Sequence, residues 1–208
     1  VVATNDVGDS PSSPVSAPVL VDLRPGRPNP PVCTAGDGSI NVNWTPPVNQ
    51  GSAIEGYTLY LSGAQSRQIA VAGDASSAVI DRLVNGEGYT VSVQARNRAV
   101  EASETSEPCA VAVPFGAPPG PVSVAQKYLP PDSPGLAKVE VSWVYHGSSN
   151  GRAWDQVRIT TAAGERTISS DGSVTSAVVE VPAAEQSTLS VALHTEGGWS
   201  PERELSFQ

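Results

Sequence analysis

Side chains able to do chemistry are few in this chain. His146 and His194 are the only histidines, and Cys33 and Cys109 the only cysteines. An imidazole acts as a base or a metal ligand when a carboxylate, a hydroxyl or further ligands converge on it. No pattern here forces such convergence: there is no Gly-x-Ser-x-Gly elbow, His-Glu-x-x-His pair, phosphate-cradling loop or Cys-x-x-Cys knuckle. The expectation is a protein that is not an enzyme and that uses no cofactor or metal. Asp37-Gly38-Ser39 and Asp171-Gly172-Ser173 resemble the start of a cation loop. The alternating oxygen ligands of an EF-hand do not follow, and Asp-Gly is first a turn signal. Asn43-Trp44-Thr45 is a glycosylation sequon, but it lies inside a predicted core strand. An intramolecular isopeptide would need Lys127 or Lys138, the only lysines, beside a buried acid.

The cysteines offer a different covalent possibility. They fall near opposite ends of one predicted domain, and in an oxidising compartment their pairing would close a loop of about 77 residues, nominally worth about 4 kcal/mol. The alternative is two free thiols packed as small apolar groups.

Whatever positions these residues is built from strands. Gly and Pro number 19 each among 208 residues, with 39% hydrophobic and only 16% charged residues. Such a composition favours short strands and many turns over helices, whose outer faces need charge. The length suits two sandwiches of roughly 100 residues. A net charge of −9 repels polyanions, so nucleic acid is not an expected partner. No run reaches the roughly 18 apolar residues of a membrane span, and no export leader is visible at the start. Met is absent even at position 1, which suggests a stretch from inside a longer chain, with any export signal or anchor elsewhere. Arg far outnumbers Lys, a bias typical of high-GC bacterial genomes.

An internal repeat organises the chain. Val1-Val2-Ala3-Thr4-Asn5 is followed by Ser10 and Ser13, and Val93-Gln94-Ala95-Arg96-Asn97 by Ser103 and Ser106. Residues 1–23 therefore read as the last hairpin of a preceding domain, and its ordering would require a neighbour. Pro and Gly then cluster over residues 24–31, read as a stiff linker, and again over 114–121. Between them Ile40, Val42 and Trp44 alternate with Asn41 and Asn43, placing three apolar groups on one sheet face. Further strands are expected at 57–61, 69–71, 78–80, 89–95 and 110–113, with turn signals every eight to twelve residues or so. The pattern restarts at 139–143 and continues at 156–160, 166–169, 177–181, 189–193 and 205–207.

These residues resemble the fibronectin type III domains. Trp44, Tyr57 in Gly56-Tyr57-Thr58-Leu59-Tyr60, Leu83 followed by Tyr89, and Val91, Val93, Ala95 and Asn97 stand in that family's order. The resemblance implies an all-β, immunoglobulin-like sandwich of seven antiparallel strands, with A-B-E packed on C-D-F-G, over residues 24–115. Trp44 would anchor its core, and Tyr89 would form a tyrosine corner. Residues 116–208 resemble a divergent second copy. There Trp143 matches Trp44, and Leu189, Val191, Leu193 and Thr195 match Val91 to Asn97, while Val181 falls at the Leu83 position and Ser187 at the Tyr89 position.

In this fold the B–C and F–G loops share one end. Tyr145, His146, Asn150 and Trp154 would then approach His194, Glu196 and Trp199, a set of rings and polar groups able to stack on a sugar or anchor a protein. Alternatively Trp154 is a core residue replacing Tyr57, with Trp199 folded over it. Two functions follow: a structural spacer of a bacterial cell-surface or secreted protein, or a binding module for a polysaccharide or protein of the cell envelope.

Overall fold

The computed structural model describes residues 1–19, 21–183 and 187–207 and builds them from antiparallel strands. Thr4–Asn5 (β1) and Gly8–Asp9 (β2) form a small hairpin. Its outer rungs repeat the later F–G pattern. Ser10 and Ser13 amides donate to Ala3 and Val1 carbonyls, and the Ala3 amide and the N-terminal amine donate to the Ser10 and Ser13 hydroxyls. Asn5 accepts from the Val7 amide as Asn97 accepts from that of Ala99.

The middle domain has six regular strands: Val32–Gly36 (β3), Ser39–Asn43 (β4), Gly56–Gly63 (β5), Arg67–Ala72 (β6), Ser77–Ile80 (β7) and Tyr89–Arg96 (β8). They form two sheets, β3-β4-β7 and β6-β5-β8. Alternation explains the core: Ile40, Val42 and Ile80 face Tyr57, Leu59, Leu61, Val91, Val93 and Ala95, with Trp44 beside them. Trp44 lies edge-on to Tyr57 at 5.3 Å between ring centroids. The Tyr89 hydroxyl accepts from the Val84 amide at 3.1 Å, closing the expected corner.

The seventh strand expected at 110–113 is reduced to one bridge, Tyr89 to Ala112. In its place runs a segment in which every third residue is buried: Ser103, Ser106, Cys109 and Ala112. Their amides donate to the carbonyls of Ala95, Val93, Val91 and Tyr89. Three residues of the segment thus advance along two residues of strand, about 2.2 Å each, too contracted for a regular ladder. Side chains make up the deficit. The Ala95 and Val93 amides donate to the Ser103 and Ser106 hydroxyls, and that of Val91 to Cys109 Sγ.

Residues 24–31, expected to be a linker, instead form an edge of this domain. Pro25, Pro28 and Pro31 are buried with period three, the repeat of a polyproline II helix. Arg24 and Arg27 on the outer side pair with Glu104 at 3.1 Å and Glu107 at 2.6 Å. The domain reaches back further still, since the Ser52 amide donates to Asp22 and the Leu23 carbonyl accepts from Asn97.

The last domain comprises Ser123–Leu129 (β9), Leu136–Val144 (β10), Trp154–Thr161 (β11), Gly164–Ser169 (β12), Ser176–Pro182 (β13), Ser187–Thr195 (β14), Gly198–Trp199 (β15) and Arg203–Phe207 (β16). Its sheets are β13-β10-β9 and β12-β11-β14-β15, with β16 also paired to β14. Val139, Val141, Trp143, Val179 and Val181 meet Val157, Ile159, Leu189, Val191 and Leu193 in the core. Here the final strand is regular, and among the described residues Ser200 keeps the hydroxyl device: its amide donates to the Leu193 carbonyl, and its hydroxyl accepts from the Leu193 amide.

Candidate functional site

Within its B–C loop each of the two domains has two consecutive residues of positive φ. These are Gln50 and Gly51 at 53° and 137°, and Asn150 and Gly151 at 59° and 97°. In both, the chain entering from the preceding domain donates an amide to the carbonyl of the first of the pair: Leu23 to Gln50 at 3.0 Å and Gly116 to Asn150 at 3.2 Å. The same local conformation thus grips the incoming chain twice.

At the second of these places the grip extends across the joint between the domains. The Asn85 side-chain amide donates to Asn150 Oδ1 at 3.0 Å and to Asp37 Oδ1 at 2.7 Å, while its own oxygen accepts from the Gly38 amide. Asn150 in turn donates to the Ala117 carbonyl at 2.8 Å. Arg152 stacks its guanidinium over the Phe115 ring at 3.7 Å and pairs with Glu196 at 2.8 Å. Stacking and charge act together there in a partly shielded setting, where a cation–π contact is worth about 0.5–2 kcal/mol. Backbone approach is close enough to demand glycine. A Cβ on Gly151 would stand 2.6 Å from the Pro114 carbonyl oxygen, and one on Gly197 would stand 2.0 Å from that of Gly116.

The residues expected to share one ligand-binding end occupy separate environments. Asn150 and Glu196 belong to the joint. Tyr145 and Trp154 lie with tilted rings 5.2 Å apart against the core, with the Tyr145 hydroxyl bonded to Ser170 at 2.7 Å. His146 is exposed and accepts from the Ser148 amide. His194 and Trp199 lie together with ring centroids 4.6 Å apart. His194 Nδ1 is 2.6 Å from Asp155, and Arg158 covers the Trp199 ring at 4.6 Å.

Trp154 packs on the core, but not in the place of Tyr57. A bulge between Trp154 and Gln156 shifts the register, so Val157 pairs with Leu193 as Tyr57 pairs with Ala95. Trp199 packs with His194 and Arg158, while the ring beside Trp154 is that of Tyr145.

Cys33 and Cys109 are joined in a disulfide, their Cα atoms 6.1 Å apart. The two Asp-Gly segments are turns: Gly38 and Gly172 have φ of 55° and 95°, and the Ser173 amide donates to Asp171. That bond and the one from the Ser173 hydroxyl, the larger cause, hold the exposed Asp171 carboxyl below its ordinary value. Among the described residues no three His, Cys, Asp or Glu side chains gather as metal ligands, and no helix is long and apolar enough to cross a membrane.

Sequence reasoning missed Asn85, Phe115 and Arg152. The paired signals Gln50-Gly51 and Asn150-Gly151, each shortly after a core Trp, could have marked the joint.

Residues 20–111 match the fibronectin type III domain family. No curated protein matches the chain. Among solved structures, the chicken CNTN1 FN1–FN3 domains align at 18% identity and a TM-score of 0.44, over 88% of this chain and 65% of that one. The present chain therefore spans less than two thirds of that protein segment. A two-domain fibronectin type III segment of chicken tenascin aligns at 17% identity and a TM-score of 0.40, over 87% and 98% of the respective chains.

Proposed function

The chain belongs to the fibronectin type III family through residues 20–111, and from that premise we propose that it is a non-catalytic structural spacer within a longer bacterial cell-surface or secreted protein. Its task is to set the distance and angle between the parts it joins. What supports this reading is the joint: Asn85, Asn150, Arg152 and Phe115 tie one domain to the next, where glycines let the backbones meet. The disulfide suits an oxidising, extracellular location.

NMR relaxation on the intact chain tests the spacer. Both domains are expected to tumble as one body, and small-angle scattering to show an elongated monomer. Gly151→Val should uncouple the domains without unfolding either. Independent tumbling of the unaltered chain, or a compact scattering profile, would overturn the reading.

One observation favours a second reading, a binding module. The Trp199 indole is only partly buried, beside His194 and Arg158, which supports a contact with a polysaccharide or protein of the cell envelope. Trp199→Ala should then abolish retention on isolated envelope material while leaving the unfolding temperature nearly unchanged. Unaltered retention would remove the case for this site.

A further inference from the structure

Pulling on the two ends of this chain loads the middle domain through residues 22–31, which lead into β3, and through residues 112–116, which leave the period-three segment. Cys33 is the second residue of β3, and Cys109 lies in that departing segment. A covalent path therefore runs from residue 33 through the two sulfurs to residue 109, and the 76-residue separation between them is bypassed. We propose that the disulfide is a tension shunt: while it is intact, the middle domain cannot lengthen, and extension under force is confined to the last domain.

The surrounding contacts fit this role. Arg24 pairs with Glu104 and Arg27 with Glu107, both at a sequence offset of 80. The constant offset means that the entering and departing segments run parallel. Parallel neighbours pulled from opposite ends slide past each other, so their bonds are strained together rather than one at a time. The shunt thus has a non-covalent reserve, which holds the edge with the disulfide open until the pairs yield.

In the last domain β9 and β16 meet the tension with non-covalent contacts alone, the ladders of β9 to β10 and β16 to β14 and the packing of Val124 and Leu205 on the core. Its sequence has no cysteine. The chain therefore combines one domain of fixed length with one that can yield.

Reduction converts the first kind into the second. A dithiol supplies two electrons and two protons, leaving Cys33 and Cys109 as thiols and itself as a disulfide. Freed residues then add about 25 nm of contour, at roughly 3.5 Å per residue over that separation.

Single-molecule stretching of the full chain through handles at residues 1 and 208 reads this directly. The oxidised chain is expected to give one domain-length event, from the last domain. Adding a dithiol to the same tether should add about 25 nm, as a second event if the reduced domain stays folded or as slack if it does not. Cys33→Ser with Cys109→Ser should give the longer trace without reductant, again as event or slack. Two domain-length events from the oxidised, unaltered chain would overturn the proposal, as would a contour unchanged by reduction. Neither result bears on whether the two domains tumble together, so the shunt and the spacer stand or fall separately.

Discussion

The middle and last domains bury nearly the same face with different fasteners at the edges. In both, a Trp at the end of the second strand and three apolar residues of the F strand fill the core: Trp44 with Val91, Val93 and Ala95, and Trp143 with Leu189, Val191 and Leu193. At the edges the two diverge. The middle domain relies on a disulfide, a tyrosine corner and serine hydroxyls in place of carbonyls. The last relies on a regular backbone ladder between β14 and β16. The lesson is that alternation fixes the interior, because one slipped residue would turn the apolar set outward, whereas an edge needs only its amides satisfied by some acceptor.

The strongest way to break the comparison is to remove the shared anchor. Trp143→Ala and Trp44→Ala should each cost about 3–5 kcal/mol in the domain concerned, through lost burial and the cavity left behind. In calorimetry of the oxidised chain, Trp143→Ala is expected to abolish the last domain's transition. Trp44→Ala should lower the middle domain's transition without abolishing it, because the disulfide restricts the unfolded chain. Equal displacement of both transitions by either substitution would mean that the domains unfold as a single unit.

A smaller effect separates the edges. Ser103→Ala leaves the buried Ala95 amide without its acceptor, a loss worth about 1–3 kcal/mol. The middle domain's transition should fall accordingly, and hydrogen exchange at the Ala95 amide should accelerate. Among the described residues of the last domain Ser200, which precedes β16, does this work, so a serine-to-alanine change on β16 itself, Ser206→Ala, is expected to be nearly neutral. A neutral Ser103→Ala would mean that the contracted segment has another way to satisfy β8.

Much of this was legible in the residues. Ile40, Val42 and Trp44, and the run from Tyr89 to Ala95, announce their face by period two, and Leu83 with Tyr89 announces the corner. The contracted segment was harder to see. Ser103, Ser106 and Cys109 repeat with period three, which neither the strand nor the helix template detects, and Pro25, Pro28 and Pro31 hid an edge behind the composition of a linker. The first strand of each domain, β3 and β9, went unnoticed beside those proline clusters. Trp154 was misplaced because a bulge adds a residue without a signature. Asn150 stands out in the sequence as a polar loop residue, but its partner Asn85 belongs to the other domain. Its role depends on how two folds meet, which local pattern does not encode.

The smallest expected effect lies at one matched register. Tyr57 opposite Ala95 in the middle domain corresponds to Val157 opposite Leu193 in the last, a large-small pair exchanged for two of intermediate size. Burial holds the Tyr57 hydroxyl above its ordinary value, with the Trp44 indole pulling the other way. That pull is weak, since neither the indole Nε1 nor the hydroxyl meets hydrogen-bond geometry. As pH rises past about 10 the unfolded chain releases this proton first. Stability from the buried neutral phenol is therefore complete below about pH 10 and is lost as pH climbs through the folded-state value. Val157 brings no such loss to the last domain. As pH rises above about 10 the middle domain's transition should drop relative to the last, and Tyr57→Phe should abolish that relative drop at little cost at neutral pH, because the hydroxyl has no hydrogen-bond partner to lose. A relative drop that persists in Tyr57→Phe would place the alkaline sensitivity elsewhere, and the matched register would then differ in packing alone.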